Sequence, residues 1–192
     1  MSQTAGPILR LPEPCLVVLV GAAGAGKSTL AARLFPAEAI LSSDAFRKLV
    51  SGDQADQRAT KTAFAILHRE LERRLARGLT TVVDATSVTP HARRGLLRRA
   101  GAHGVPAVAL VLDLAPELVL ERNATRAGHV VPEPAVRRQL ADLRASTRNG
   151  VLEAEGFEAV RHRPDRGGPR RAFDRRGERG ATRAVRRLTR RR

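Results

Sequence analysis

Apolar and polar positions along this chain fall into blocks that read as strands and helices taking turns. Cys15–Val20 (CLVVLV) is a continuous apolar run, the pattern of a strand buried on both faces. A glycine-rich stretch follows, and Lys27–Leu34 predicts a helix. Ala39–Leu41 predicts a short second strand leading into Ser42-Ser43-Asp44, and Ala45–Val50 a helical turn or two. Ser51–Arg58 is polar and loop-like. Across Thr60–Arg77 the apolar residues Phe64, Leu67, Leu71 and Leu75 keep the spacing of one helical face, and Gly78 suits the stop. The β-branched run Thr80–Val83 predicts a strand ending at Asp84. Thr89–Ala102 reads as a helix with Pro90 at its start, and Val105–Leu112 as a buried strand ending near Asp113. Pro116–Arg126 and Pro134–Arg148 read as helices joined by a loop over Ala127–Glu133, and Glu158–Arg161 as a last short strand.

Such alternation predicts an α/β fold, a mostly parallel sheet with helices on both faces. The expected organisation is a leader over 1–14, one domain over 15–162 with a helical lid around 116–134, and a tail over 163–192. In the tail Gly, Pro and Arg displace the apolar pattern, so disorder is expected there.

Charge changes the picture less than its total suggests. The net charge is +16, but the tail alone holds thirteen Arg against Asp165, Asp174 and Glu178, ten of those sixteen surplus charges. The domain is mildly basic, a modest argument for a nucleic-acid partner. With no Trp, no Tyr and five Phe, a platform that stacks successive bases on aromatics is not expected. Cys15 is the single cysteine, which excludes an intrachain disulfide and fits a reducing cytoplasm. The N-terminus lacks a secretory pattern and no apolar run is long enough to span a bilayer, so a cytoplasmic protein without a membrane partner is expected. His68, His91, His103, His129 and His162 are scattered without metal-ligand spacing.

The chemistry starts at Gly21-Ala22-Ala23-Gly24-Ala25-Gly26-Lys27-Ser28, which fits G-x-x-x-x-G-K-[ST] without a mismatch between a buried strand and a helix. Glycines let successive backbone N–H groups turn inward around phosphate oxygens, and the helix N-terminus faces the same anion. Lys27 supplies a charge to the β- and γ-phosphates of ATP, Ser28 a hydroxyl to Mg²⁺, and Thr29 a contact to the α-phosphate. Ala25 completes the cradle.

Other candidates lie beyond the loop. Asp44 and Arg47 stand at i and i+3, one helical face, after the second strand. Asp44 suits acceptance of a proton from an acceptor hydroxyl, and Arg47 suits an acceptor phosphate. The plainer alternative is a helix cap with a local ion pair. Asp84, at a strand end, suits Mg²⁺ held through water, or else a turn cap. Arg122 and Arg126, at i and i+4, suit a clamp on transferring phosphoryl oxygens, or else a solvated face.

Together these blocks resemble the 5′-kinase module of bacterial polynucleotide kinase-phosphatases, enzymes of RNA end repair. The similarity runs through GAAGAGKSTLA, LSSDAFRKLVSGDQADQ, AFAILH, TTVVDATSV, ERNATR and EGFEAV, from about Pro14 to His162. The resemblance implies a P-loop fold, ATP and Mg²⁺ as cofactors, and transfer of the γ-phosphate to a 5′-hydroxyl end of RNA or DNA. It implies that Asp44 is the general base, that Arg47 engages the acceptor strand, that Arg122 and Arg126 are lid arginines on the ATP phosphates, and that Gln57 touches the substrate. Three departures stand out. Ser87 replaces the Asn of a DATN block, His129 stands at a basic lid position, and no metal-binding pattern of a phosphatase follows Ala172-Phe173-Asp174. The last departure leads to the expectation that 163–192 is a remnant or an independent basic tail, with separate phosphatase or ligase proteins as candidate partners. Two alternatives stay open: a small-molecule kinase acting on a sugar, nucleotide sugar or antibiotic, and a catalytically silent protein that binds ATP and nucleic acid.

Overall fold

The computed structural model describes residues 11–52, 59–126 and 130–162. The expected leader beyond Leu11, Gln57, His129 and the tail from Arg163 onward lie outside the described residues.

Five strands form one sheet: β1 (Leu16–Val20), β2 (Ile40–Ser42), β3 (Thr81–Asp84), β4 (Ala107–Val111) and β5 (Ala159–His162), in the order β2-β3-β1-β4-β5. Every pairing is parallel. Between them run α1 (Lys27–Leu34), α2 (Ser43–Ser51), α3 (Thr60–Ala76), α4 (Pro90–Ala102), α5 (Pro116–Ala124), α6 (Glu133–Ser146) and α7 (Val151–Ala154).

The continuous apolar run of β1 has the physical meaning expected of it. Alternate residues point to opposite faces of a strand. Leu16, Val18 and Val20 pack with Leu67, Leu71 and Leu75 of α3 and Leu96 of α4. Val17 and Leu19 pack with Ala31 of α1 and with Phe35 just beyond it. Both faces are therefore covered, and all five β1 residues are buried.

Several boundaries differ from the sequence reading for local reasons. α2 begins at Ser43, not Ala45, because Ser42 caps it by accepting a hydrogen bond from the Ala45 N–H at 3.4 Å. α5 ends at Ala124, so Arg126 lies beyond the helix and shares no helical face with Arg122. Within 116–134 the described residues are α5, the chain just beyond it and the start of α6. α7 was not anticipated; it is a single turn opened by Gly150 at φ 75°.

One buried charge ties the loops together. Arg93 of α4 is fully buried. Its guanidinium donates to both Glu155 oxygens (2.7 and 2.6 Å), to the Ser87 carbonyl (2.8 Å) and to Ser146 Oγ (3.0 Å). Ser146 in turn donates to the Val88 carbonyl at 2.7 Å. The β3–α4 connection, α6 and the end of α7 are thus pinned to one cation. Removing one partner strands the other without compensation. Arg93→Ala is expected to lower unfolding free energy by about 3–5 kcal/mol, read from urea denaturation; a loss under about 1 kcal/mol would show that water replaces the network.

Candidate functional site

All-parallel pairing brings every strand's carboxyl end to one edge of the sheet, where ligands of open α/β sheets bind. A cleft of about 810 Å³ lies at this edge, within the range of ligand pockets. It gathers Lys27, Ser28, Thr29, Asp44, Arg47, Asp84, Arg122 and Arg126, residues from four separate stretches of chain.

The loop after β1 holds the conformation its glycines suggest. Gly24 and Gly26 both have φ 86°, in the left-handed region. At Gly24 space matters as well, since a Cβ would stand 2.5 Å from the Val119 carbonyl oxygen and 3.0 Å from Asn123 Cβ. Gly21 is similarly confined, 3.2 Å from Leu112. Ala25 is buried and donates its N–H to the Ala22 carbonyl at 3.2 Å. Gly26 is the N-cap of α1, with no side chain capping the helix. The first N–H groups of α1 therefore face the cleft with the positive end of the helix dipole.

Lys27 is buried and donates from Nζ to the Gly21 and Ala22 carbonyls, both at 2.9 Å. Burial lowers its ammonium from 10.5 to about 8, partly offset by the Asp84 and Asp44 carboxylates. Burial raises the Asp84 carboxyl above its ordinary range; the Ser28 hydroxyl and Lys27 act against that rise. A half-desolvated carboxylate beside a hydroxyl suits a hard cation with oxygen ligands. Ser28 directly, and Asp84 beside it, are the residues fit to hold Mg²⁺. Among the described residues no group of three His, Cys, Asp or Glu forms a denser metal cage.

Asp44 sits in the first turn of α2 but does not cap it; Ser42 does. Its carboxylate lies between two arginines. Oδ1 accepts from Arg47, one turn on in α2, and Oδ2 lies 3.5 Å from Arg126. The local Asp44–Arg47 pair allowed by the sequence is therefore present, within the cleft. Arg122 reaches the cleft from the last turn of α5.

Two contributors escaped the sequence reading. Gln139 of α6 accepts the Ala23 N–H at 2.8 Å, tying the phosphate loop to a helix 116 residues away. Buried Asn123 donates to the Val131 carbonyl (2.8 Å) and accepts from the Val131 N–H (3.2 Å). It closes the neck of the segment that carries Arg126 while its Cβ backs Gly24. Asn123 lies inside the ERNATR block, but nothing in its spacing marks it as buried, and Gln139 has no local signal.

The low Lys27 value gives a pH signature. Phosphate oxygens favour the charged ammonium and raise its pKa on binding. Above pH 8 the free protein has largely lost this proton, so nucleotide binding at pH 9 is expected to take up close to one proton, and almost none at pH 7. Calorimetry in buffers of different ionisation enthalpy measures it; equal uptake at both pH values would contradict the assignment. Lys27→Met should abolish the difference.

Comparison with known proteins gives the same architecture. Among solved structures, a chain of the Pnkp1/Rnl/Hen1 RNA repair complex superposes with TM-score 0.62 at 18% identity, over 80% of this chain and 49% of that one. This protein thus spans about half the length of that chain. A sugar kinase from Janibacter sp. HTCC2649 superposes with TM-score 0.53 at 22% identity, covering 79% of this chain and 85% of that one. The PezAT toxin-antitoxin system of Streptococcus pneumoniae gives 0.55 at 16%, covering 84% and 71%. At these identities the likeness is one of fold, and it spans proteins described as acting in different settings. No curated protein matches the sequence. A family profile described as an AAA domain matches residues 16–149, through the phosphate loop, strands β1 to β4, Arg122 and Arg126, and the chain belongs to that family, with a P-loop kinase-like fold.

Proposed function

We propose that this protein is an ATP-dependent polynucleotide 5′-hydroxyl kinase. The observation that carries the reading is the Asp44 carboxylate in the phosphate-loop cleft, with Arg47 on one oxygen and Arg126 on the other. A base for an acceptor hydroxyl, a cation on the acceptor side and a cation for the transferring group are then adjacent. Arg47 favours an acceptor that carries a phosphate close to its reactive hydroxyl, which a nucleic-acid end does and a plain sugar does not. The sequence blocks shared with polynucleotide kinases favour the same acceptor.

In this reaction the 5′-oxygen bonds to the γ-phosphorus as the bond from that phosphorus to the bridging oxygen of ADP breaks. The hydroxyl proton passes to Asp44. Lys27, Arg122 and Arg126 neutralise charge on the phosphoryl oxygens. Ser28, with Asp84 beside it, would hold Mg²⁺, which would supply further neutralisation of phosphate charge. Before Asp44 can act, Arg126 must give up its oxygen. A γ-phosphate in the cleft offers Arg126 a stronger anion, so nucleotide binding frees the base.

The direct experiment offers the protein Mg²⁺, γ-labelled ATP and a 5′-hydroxyl oligonucleotide beside the same strand already 5′-phosphorylated. Label on the 5′-hydroxyl strand alone is expected. Label on neither, with ATP binding intact, would sink the proposal. Asp44→Asn should lower kcat by about 10²–10⁴ with nucleotide affinity nearly unchanged; turnover that survives would remove Asp44 as base.

A second reading, a small-molecule kinase, draws on one specific observation. Phe64 is the single aromatic residue among those described around the cleft, which limits base stacking. The labelling assay separates the two, because a small-molecule kinase leaves both strands unlabelled.

A further inference from the structure

A second concavity, of about 590 Å³, runs along α3 and α4 on the outer surface. His68, Arg69, Glu72, Arg73 and Arg99 line it. Gly95, in the middle of α4, stands beside two of these residues: a Cβ there would be 3.4 Å from an Arg99 guanidinium nitrogen and 3.9 Å from His68.

The surface of α3 and α4 around it is cationic. Arg69 and Arg73 repeat at i and i+4 on α3, Arg94 and Arg98 at i and i+4 on α4, and all four are exposed. Successive members of each row stand about 6 Å apart along the helix axis. α4 contains no acidic residue. On α3, Glu70 neutralises Arg73 by bonds of 2.8 and 2.9 Å, and Glu72 lies 3.2 Å from Arg99 and 3.7 Å from His103. No ion pair involves Arg69, Arg94 or Arg98 among the described residues. The surplus charge therefore rests on these three. Arg99 and Arg98 also bear on His68, whose imidazole is held below its ordinary range first by burial and then by these two charges.

Residues one turn apart on α3 line the two concavities: Phe64 the cleft and His68 the groove. Their rings lie 6.0 Å apart, centroid to centroid. From Phe64 to Arg73 the helix advances roughly 14 Å, well beyond the reach of a monosaccharide in the cleft. A cationic channel leading from a phosphoryl-acceptor site suits a chain with an anion on every unit.

Resting on the acceptor assignment above, we infer that the α3–α4 groove is the track for the body of a single-stranded nucleic-acid acceptor. Its phosphates lie on Arg69, Arg94 and Arg98 while its 5′ end reaches Asp44.

The test measures KM of the full chain for a 5′-hydroxyl dinucleotide and for a long 5′-hydroxyl oligonucleotide, against salt. Arg69→Ala/Arg98→Ala should raise KM for the long strand roughly tenfold, with KM for the dinucleotide and for ATP unchanged. The slope of log KM against log salt for the long strand should fall by about 1.4, or about 0.7 for each lost phosphate contact. Gly95→Gln, which crowds Arg99 and His68 without altering charge, should also raise KM for the long strand alone. Because arginine is abundant throughout the chain, Arg144→Ala/Arg148→Ala is the control and should change neither. Equal effects on short and long acceptors, no effect on either, or the same effect from the control overturns the track. If no oligonucleotide is labelled at all, the kinase assignment falls by itself, and anisotropy of a fluorescent single strand decides the groove. Weaker strand binding in Arg69→Ala/Arg98→Ala than in the control then supports the groove; equal binding overturns it.

Discussion

The site depends on the parallel register of the sheet. β1 pairs on one side with β3 and on the other with β4, so the phosphate loop that leaves it emerges at the centre of the carboxyl edge. In the next pairing Ser42 stands opposite Asp84. That register sets the two carboxylates of the cleft: Asp84 closes β3, and Asp44 begins α2 two residues beyond the partner of Asp84. A slip of one residue would turn alternate side chains to the wrong face and break both core and site together. The core on the two faces of β1 is therefore what holds the chemistry in place.

Electrostatics then decide how charges survive at that edge. Lys27 is held by loop carbonyls and not by a carboxylate, which leaves its charge available to an incoming anion. Asp84 is desolvated yet sits beside Ser28 and Lys27. Asp44 divides its two oxygens between the α2 arginine and the arginine beyond α5. Each group is balanced by a neighbour that a phosphoryl oxygen or a cation would claim more strongly. Pairs of this kind cost less to keep than isolated charges, and they are exchanged, not created, when a ligand arrives.

What the sequence made legible was local. The apolar run of β1, the glycines at left-handed positions and the leucine spacing of α3 each follow from one stretch of chain, and each is found where it was expected. The pairing of Asp44 with Arg47 also follows from its i, i+3 spacing. The argument for Arg122 and Arg126 reached the right cleft by the wrong geometry: α5 ends at Ala124, and the chain, not a helical face, brings Arg126 round. Gln139 on the phosphate loop, Asn123 at the neck of the lid segment and Arg93 beneath the β3–α4 connection were missed for a common reason. Their partners are distant in sequence or are backbone atoms, so no spacing announces them, and a buried arginine in an arginine-rich chain looks like one more surface charge.

The acceptor is a separate question from the fold. The phosphate half of the cleft, built from β1, its loop and α1, serves any P-loop phosphotransferase, and the superpositions on an RNA-repair chain and on a sugar kinase show a common fold and no acceptor. Specificity must come from the elements around it: α2 with Asp44 and Arg47, the start of α3 with Phe64, and Arg126 beyond α5. All of these residues line the cleft. A compact neutral acceptor would leave the α3–α4 cations without a role. A phosphodiester chain would engage them together with the cleft, so on the proposed reading charge, more than shape, separates the two acceptors.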